Sequence, residues 1–347
     1  MTIAWYVHHH GSGHRHRAVA VVRHLREPVV LLSQAPSPDS LPSGASWIQL
    51  PSDSDGAPAG DVTAGGRLHW APPGHRGQRR WSAALLQALD AHDARLLVSD
   101  VSVEATVLAR TAGVPVVSMR LHGDRTDAAH ILGYDLSEAV IAPYPAWFEE
   151  PTVPAALRAR TFYAGGLCRW TIPSMPVATV DRCVVLLGGG GTAADVAHLD
   201  RFARATGGEW IGLGRVAVPV DAVGSRGPCR DRGSGTSIAW FGVIDDPRPL
   251  LRDASVVVSS AGHNSVMEVA SLRRPLVCVP EMRPFGEQAA RAELLRRLDL
   301  AVVVPTWDAL TPAHLCRAQQ LGGDRLSALA SDGAAVGIAH FVENVAA

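Results

Sequence analysis

Short runs rich in Val, Ile and Leu recur along the chain, separated by longer stretches whose apolar residues return at helical spacing. In the first half the strand-like runs are 2–7, 29–32, 46–50, 96–99 and 115–119, with helical patterns near 14–26, 80–92 and 101–112. The runs are nearly continuous in apolar residues rather than alternating, as in strands covered on both faces by helices. This is the rhythm of parallel β-α-β units. Around 143–180 it fades into "APYPAWFEEPTVP" and "TIPSMPVATV", which are proline-rich and weakly periodic. It resumes at 183–187, 209–213, 237–241, 255–259, 275–279 and 301–304. The pattern predicts an N-terminal α/β domain over 1–165, a linker over 166–180 and a C-terminal α/β domain over 181–325. A helical tail over 326–347 is expected to pack back on the first domain. Segments 33–45, 51–78 and 214–236, rich in Gly, Pro, Ser and Asp, are expected to be loops.

A chain of 347 residues is long enough for two such cores. Its 32 Lys and Arg nearly balance 33 Asp and Glu, so no overall basic field points to nucleic acid, and any charged ligand must be met locally. The five cysteines, Cys168, Cys183, Cys229, Cys278 and Cys316, form no CxxC pair and suggest buried thiols rather than a zinc site or disulfides. No apolar run reaches the roughly 18 to 20 residues of a spanning helix, and no signal core opens the chain, so the expected location is cytoplasmic.

In doubly wound sheets ligands bind beyond the carboxyl ends of strands, so residues that follow strands carry the chemistry. The first such segment is "HHHGSGHRHRA", residues 8–18, whose glycines, Gly13 among them, let the chain turn into a helix that can face an anion. "GGGGT" at 188–192, followed by a helical pattern, is expected to be a second strand-to-helix turn, with Gly189, Gly190 and Thr192 suited to phosphate, although it is neither a Walker loop nor a GxGxxG fingerprint. In "SSAGHNSVMEVASLRRPLVCVPEMRPFGEQ" Gly262 permits a turn into a helix that offers Ser265 and backbone N–H groups to a diphosphate. Glu268, nearly one turn further, can accept both hydroxyls of a ribose, and Glu287 and Gln288 open the next helix with side chains suited to sugar hydroxyls. His8, His9, His10 and His16 read more readily as loop or solvated histidines than as chemistry. "DSD" at 53–55 imitates a metal-binding motif, but it lies in a loop of Pro, Ser and Gly, and no metal is expected to be required.

The stretch "GHNSVMEVASLRRPLVCVPEMRPFGEQ" resembles the donor-binding signature of GT-B glycosyltransferases of family 28, the group that contains the MurG-type N-acetylglucosaminyltransferases. "FGVIDD" at 241–246, the Gly-rich turn and "GSGHRHRA" extend the resemblance, which is strongest over 237–292. It implies two Rossmann-like parallel-sheet domains facing across a cleft. It further implies a nucleotide-diphosphate sugar, UDP-linked, as substrate, and no cofactor. On that resemblance the backbone at Ile244 reads the nucleobase and Glu268 holds the ribose. Gly262, His263, Asn264 and Ser265 lie against the diphosphate, while Glu287 and Gln288 meet the sugar. His14 corresponds to the histidine at the reacting centre. In a second resemblance, to plant-type inverting transferases, Asp100 in "LLVSD" orients that base, although an aspartate there can equally cap the helix that follows. The acceptor half is far less similar. The acceptor is a glycan, a lipid-linked sugar or a small metabolite, the lipid-linked case implying peripheral contact at the inner face of a membrane. Nucleotide-sugar hydrolysis or epimerisation, and non-catalytic nucleotide-sugar binding, are the alternatives on the same fold.

Overall fold

The computed structural model describes residues 2–172, 180–215 and 237–347, and the chain divides into two compact units. The first comprises Met1–Arg169 with Asp332–Ala347, the second Trp170–Ser331. The segment 216–236 lies outside the described residues, as does 173–179 within the expected linker.

The first unit holds seven parallel strands: β1 (Thr2–Tyr6), β2 (Val29–Ser33), β3 (Ala45–Gln49), β4 (Ala94–Asp100), β5 (Val116–Met119), β6 (Ala139–Ala142) and β7 (Thr161–Tyr163). Their order across the sheet is β3-β2-β1-β4-β5-β6-β7. The pleat divides β1 between two cores. Ile3, Trp5 and Val7 join one with Val98 and the C-terminal helix residues Ile338, Ala339 and Val342. Ala4 and Tyr6 join the other with Leu97, Trp81 and Leu85. Burial on both faces is why the strands read as unbroken apolar runs. The C-terminal helix Ala334–Ala346 thus belongs to the first unit's core. Glu343 accepts a hydrogen bond from the Arg26 amide at 2.6 Å.

Two strands depart from the sequence expectation. β6, Ala139–Ala142, is absent from the expected strands, and β7, half-buried throughout, falls in the proline-rich stretch that reads as fading structure. The helix expected at 101–112 runs Val103–Thr111 and is capped by Ser102, whose hydroxyl accepts from the Ala105 amide. Asp100 therefore does not cap it.

The second unit has six parallel strands: β8 (Arg182–Leu186), β9 (Glu209–Leu213), β10 (Ile238–Trp240), β11 (Val256–Ser259), β12 (Leu276–Cys278) and β13 (Val302–Val303), in the order β10-β9-β8-β11-β12-β13. Val185, Val256, Val258 and Val277 pack with Trp210, Trp240 and Trp307 in its core. In both sheets the strand order reverses at one place, between β1 and β4 in the first and between β8 and β11 in the second. Such a switch point leaves a crevice at the carboxyl edge, where connections diverge to opposite faces. The loops after these four strands contain most of the residues singled out above.

Candidate active site

At the switch point of the first unit, β1 runs out through His8, His9 and His10 and turns through Gly11 and Ser12 into the helix Gly13–Val22. His14 stands in the first turn of that helix. β4 ends at Asp100, fully buried, and Val101 beyond it takes φ 61°. A β-branched residue in that left-handed region is strained by about 1–3 kcal/mol. The tight turn leaves Asp100 at the sheet edge facing the neighbouring β1 loop. The His14 Nδ1 lies 2.9 Å from Asp100 Oδ2, with the histidine side chain 15% exposed and the aspartate 0%.

A third side chain completes this centre, and the sequence reading missed it. Arg17, one turn beyond His14 and 4% exposed, donates to Asp100 Oδ1 at 3.1 Å and Oδ2 at 3.2 Å. The same guanidinium nitrogen lies 2.8 Å from His14 Nδ1. Burial alone pushes a carboxyl pKa up, but the Arg17 guanidinium and the His14 ring outweigh it and hold Asp100 well below the usual carboxylate range. Asp100 is thus an anion inside the protein. The one sequence signal for Arg17 is its i+3 spacing from His14 in "GHRHR".

The neighbouring histidines differ. Burial and the adjacent imidazoles hold His8 well below the ordinary histidine value, and burial lowers His9 as well. His16 is pushed down to about 4 by burial and then by Arg169, Arg15 and Arg17. Asp53 and Asp55 lie in the loop before the helix Arg76–Ala91, and the Asp53 carbonyl accepts from the Trp70 indole. Neither belongs to a metal-competent cluster among the described residues.

In the second unit three turns meet at the switch point. The turn after β8 holds Gly188–Gly191, with Gly191 at φ 89°. The helix that follows begins only at Val196, capped by Asp195. The expectation that the glycine run opens directly into a helix N-terminus is therefore corrected: four residues intervene, and a carboxylate takes the end of the dipole. Instead Thr192 donates its hydroxyl to Glu281 Oε1 at 2.6 Å, and the Ala193 amide donates to both oxygens of the same carboxylate. Glu281 also accepts from the Trp307 indole at 2.8 Å, and its own amide donates to Gln288 Oε1 at 2.9 Å. This buried acid ties the Gly-rich turn to the loop after β12, and no spacing in the sequence marks it. Arg283, on that loop, donates to the Gly191 carbonyl at 2.6 Å, and its guanidinium lies beside Gly190.

After β11, Gly262 itself caps the helix His263–Ser271 and offers no side chain to the first-turn amides. A Cβ at Gly262 would stand 3.7–3.9 Å from Ser260 Oγ, Ser265 Oγ and Gln288 Nε2, so three polar atoms converge around this glycine. His263, Ser265 and Glu268 are buried in the helix, and Asn264 is half-buried. Arg291, fully buried, donates to the Ala261 carbonyl at 2.6 Å and to Glu287 Oε1 at 3.0 Å. Glu287 is thus ion-paired within its helix. The structure groups Gly189, Gly190, Thr192, Gly262, Ser265, Glu287 and Gln288 on this edge, with Glu268 one turn deeper. Ile244 is half-buried on the loop beyond the edge strand β10, and Gly13 belongs to the first unit.

Residues 227–323 match the glycosyltransferase family 28 C-terminal domain. The similarity to this family lies in the second unit. A curated relative from Sorangium cellulosum (strain So ce56), a UDP-N-acetylglucosamine–N-acetylmuramyl-(pentapeptide) pyrophosphoryl-undecaprenol N-acetylglucosamine transferase, is 28% identical over 241 residues. That alignment covers 65% of this chain and 56% of the relative, so the chain spans little more than half the length of the protein it matches. Among solved structures, MurG from Acinetobacter baumannii aligns at TM-score 0.61 and 14% identity over 99% of each chain. A UDP-glucosyltransferase from Polygonum tinctorium aligns at TM-score 0.67 and 13% identity, covering 99% of this chain and 97% of its own. SnogD from Streptomyces nogalater aligns over all of both chains at TM-score 0.62 and 14% identity. At such identities the likeness establishes the fold, which is GT-B. The matched stretch contains the helix headed by Gly262, the loop with Arg283 and the helix Glu287–Arg297.

Proposed function

We propose that the protein is an inverting glycosyltransferase that moves a sugar from a UDP-linked donor to an acceptor hydroxyl without a metal ion. The observation that carries the reading is the 2.9 Å approach of His14 Nδ1 to the buried Asp100 carboxylate at the switch point of the first sheet. We assign the Nδ1 proton to the bond with Asp100, so that the Arg17 nitrogen beside it donates to the carboxylate and not to the ring; this leaves the Nε2 lone pair to accept a proton from the attacking hydroxyl. As the hydroxyl oxygen bonds to the anomeric carbon and the bond to the diphosphate breaks, that proton passes to Nε2. The imidazolium then faces an ionised carboxylate, the arrangement that favours proton transfer. Arg17 is a positioning residue here, keeping Asp100 charged and fixed.

The leaving diphosphate gains negative charge as the glycosidic bond breaks. The amides of the Gly188–Gly191 turn, the N-terminus of the helix His263–Ser271 and the Arg283 guanidinium are the groups we assign to it. Glu268 is assigned to the ribose, Ile244 to the base, and Glu287 and Gln288 to the sugar. The match to family 28 supports the donor assignment, and the Sorangium relative's printed name supplies UDP-N-acetylglucosamine as the donor to try first. The acceptors named for the relatives, a pyrophosphoryl-undecaprenol glycan in one case and indoxyl in another, are chemically unlike. A test set must span both. Among the described residues no helix is long and apolar enough to cross a membrane.

The experiment is product analysis with UDP-, GDP- and dTDP-sugars, with and without lipid-linked and small aromatic acceptors. Transfer is expected with a UDP-sugar, giving an acceptor glycoside of inverted anomeric configuration. Equal release of free sugar with and without acceptor would replace transfer by hydrolysis, and binding with no turnover would leave a nucleotide-sugar binder.

A further inference from the structure

The exit from β1 holds a second arrangement that proton transfer does not use. In an extended strand three consecutive side chains alternate between faces, and His9 would point away from its neighbours. Here the backbone bends as it leaves the strand. The His10 amide donates to His8 Nδ1 at 3.2 Å, closing the bend and gathering all three rings on one side. His8 and His9 stack with centroids 5.0 Å apart, His9 and His10 lie 4.3 Å apart and His8 and His10 5.1 Å apart. One nitrogen from each ring lies within 4.8 Å of the other two. His9 Nδ1 is buried with no hydrogen-bond partner among the described residues. Three imidazoles packed together, one with a buried ring nitrogen that has no partner, form a set of nitrogen donors.

We propose that His8, His9 and His10 form a three-nitrogen site for a borderline divalent transition ion of the zinc class, and that its occupancy restrains His14. Nitrogen ligands sit about 2.0–2.1 Å from zinc, which spaces them roughly 3.4 Å apart in a tetrahedron, so the rings must close by about an ångström. His8 and His9 are half-buried and His10 is exposed, so side-chain rotation supplies that movement. The ion takes the His8 Nδ1 lone pair that now accepts the His10 amide, and that amide passes to solvent. A water completes the fourth position. Imidazole ligands favour zinc, copper and nickel over magnesium or calcium. The His8 ring centre lies 5.2 Å from that of His14. Closing the three rings on an ion shifts the His8 ring against which His14 packs, so His14 loses its orientation and turnover falls when the site fills.

A second cluster, His69, Asp127 and His130, supplies the control. There the Asp127 carboxylate already bonds both rings, and the Arg125 guanidinium lies 3.1 Å from His130 Nε2. Both roles of that carboxylate are filled, and a cation stands beside the ring.

The test uses the full chain without a histidine tag, titrated with zinc chloride by calorimetry and with cobalt(II) followed by visible absorption. One ion per chain is expected, with the intense cobalt bands of a tetrahedral nitrogen site. Removing one of three ligands through His9→Gln or His10→Gln should weaken binding by at least about tenfold, while His69→Gln should leave it unchanged. Binding that survives both His9→Gln and His10→Gln, or that is lost in His69→Gln, overturns the assignment. So does the absence of stoichiometric binding. In turnover assays zinc should inhibit the native chain, with recovery on chelation, and should inhibit His10→Gln far less. Tight binding with unchanged turnover would overturn the restraint on His14 and leave the ion site. The calorimetric result does not depend on which sugar, if any, is transferred.

Discussion

Two turns in this molecule share a plan and differ in what they do with it. β1 leads through "GSGH" into the helix Gly13–Val22, and β11 leads through "SAGH" into the helix His263–Ser271. Each stands at the switch point of its sheet, and each places a histidine directly after a glycine. In the first, His14 is partly exposed and its Nδ1 meets a carboxylate delivered by the neighbouring β4. Arg15 and Arg17 put positive charge near the helix N-terminus, where the dipole is already positive, and a buried anion is needed to offset it. Asp100 is that anion. In the second, His263 is buried and the helix has glycine as its cap and no acid in its first turn. Its positive end is met by no side-chain charge of its own. The first turn fills its field internally, as the proposed proton transfer requires; the second has the open field to which we assign the diphosphate.

The largest effects should come from breaking the first turn. His14→Ala removes the proposed base, and turnover should fall about 10²- to 10⁴-fold, the usual contribution of positioned proton transfer, with donor affinity little changed. Asp100→Asn should cost less, and the double variant should lose less than the product of the two, because the pair acts as a unit. Single-turnover rates at saturating donor measure this. A normal rate in His14→Ala would assign the histidine to the turn alone. Asp100→Ala is a different experiment, since it leaves Arg17 buried without its main partner, and stability should drop by about 3–5 kcal/mol. Chemical denaturation measures that loss beside the Asn variant, which keeps shape and hydrogen-bonding capacity.

A smaller effect should follow from the second turn. If Glu268 holds the ribose hydroxyls, Glu268→Ala should weaken UDP binding by about 1–3 kcal/mol, the range for a lost charge-assisted hydrogen bond. Calorimetry on a variant with a native melting profile tests this. Unchanged affinity would remove Glu268 from the donor site and make it a buried helix residue only.

The sheets were legible because their strands are buried on both faces and so read as apolar runs, from "VVLL" in β2 to "VVVS" in β11. β7, three half-buried residues at a sheet edge, has no such run. The turn at Gly262 into the helix was legible because a glycine between a strand and a helix has few other meanings. Arg17 was not, since an arginine in the first turns of a helix ordinarily reads as solvated; only the topology that sets β4 beside β1 turns it inward to Asp100. Glu281 was hidden for a similar reason. It follows Pro280 in a loop, and its partners Thr192 and Trp307 are 89 and 26 residues away in sequence, brought together by the order β8-β11-β12-β13.

The smallest expected effect is the one that most sharpens the contrast between the two turns. If the diphosphate is met by backbone amides, a helix N-terminus and Arg283, no bridging cation is required, because those groups already supply the positive potential that magnesium would bring. Turnover in excess chelator should then equal turnover without it. A slight rise is also consistent, because a chelator strips any transition ion from the three histidines after β1. The two outcomes are separated by His10→Gln, in which the rise should vanish while the chelator-resistant rate persists. Loss of activity restored by magnesium or manganese, but not by zinc, would mean that the amides alone do not carry the leaving group. The second turn would then be incomplete without an ion, and Asp53 and Asp55, set aside as loop residues, would have to be tested as its ligands by Asp53→Asn and Asp55→Asn.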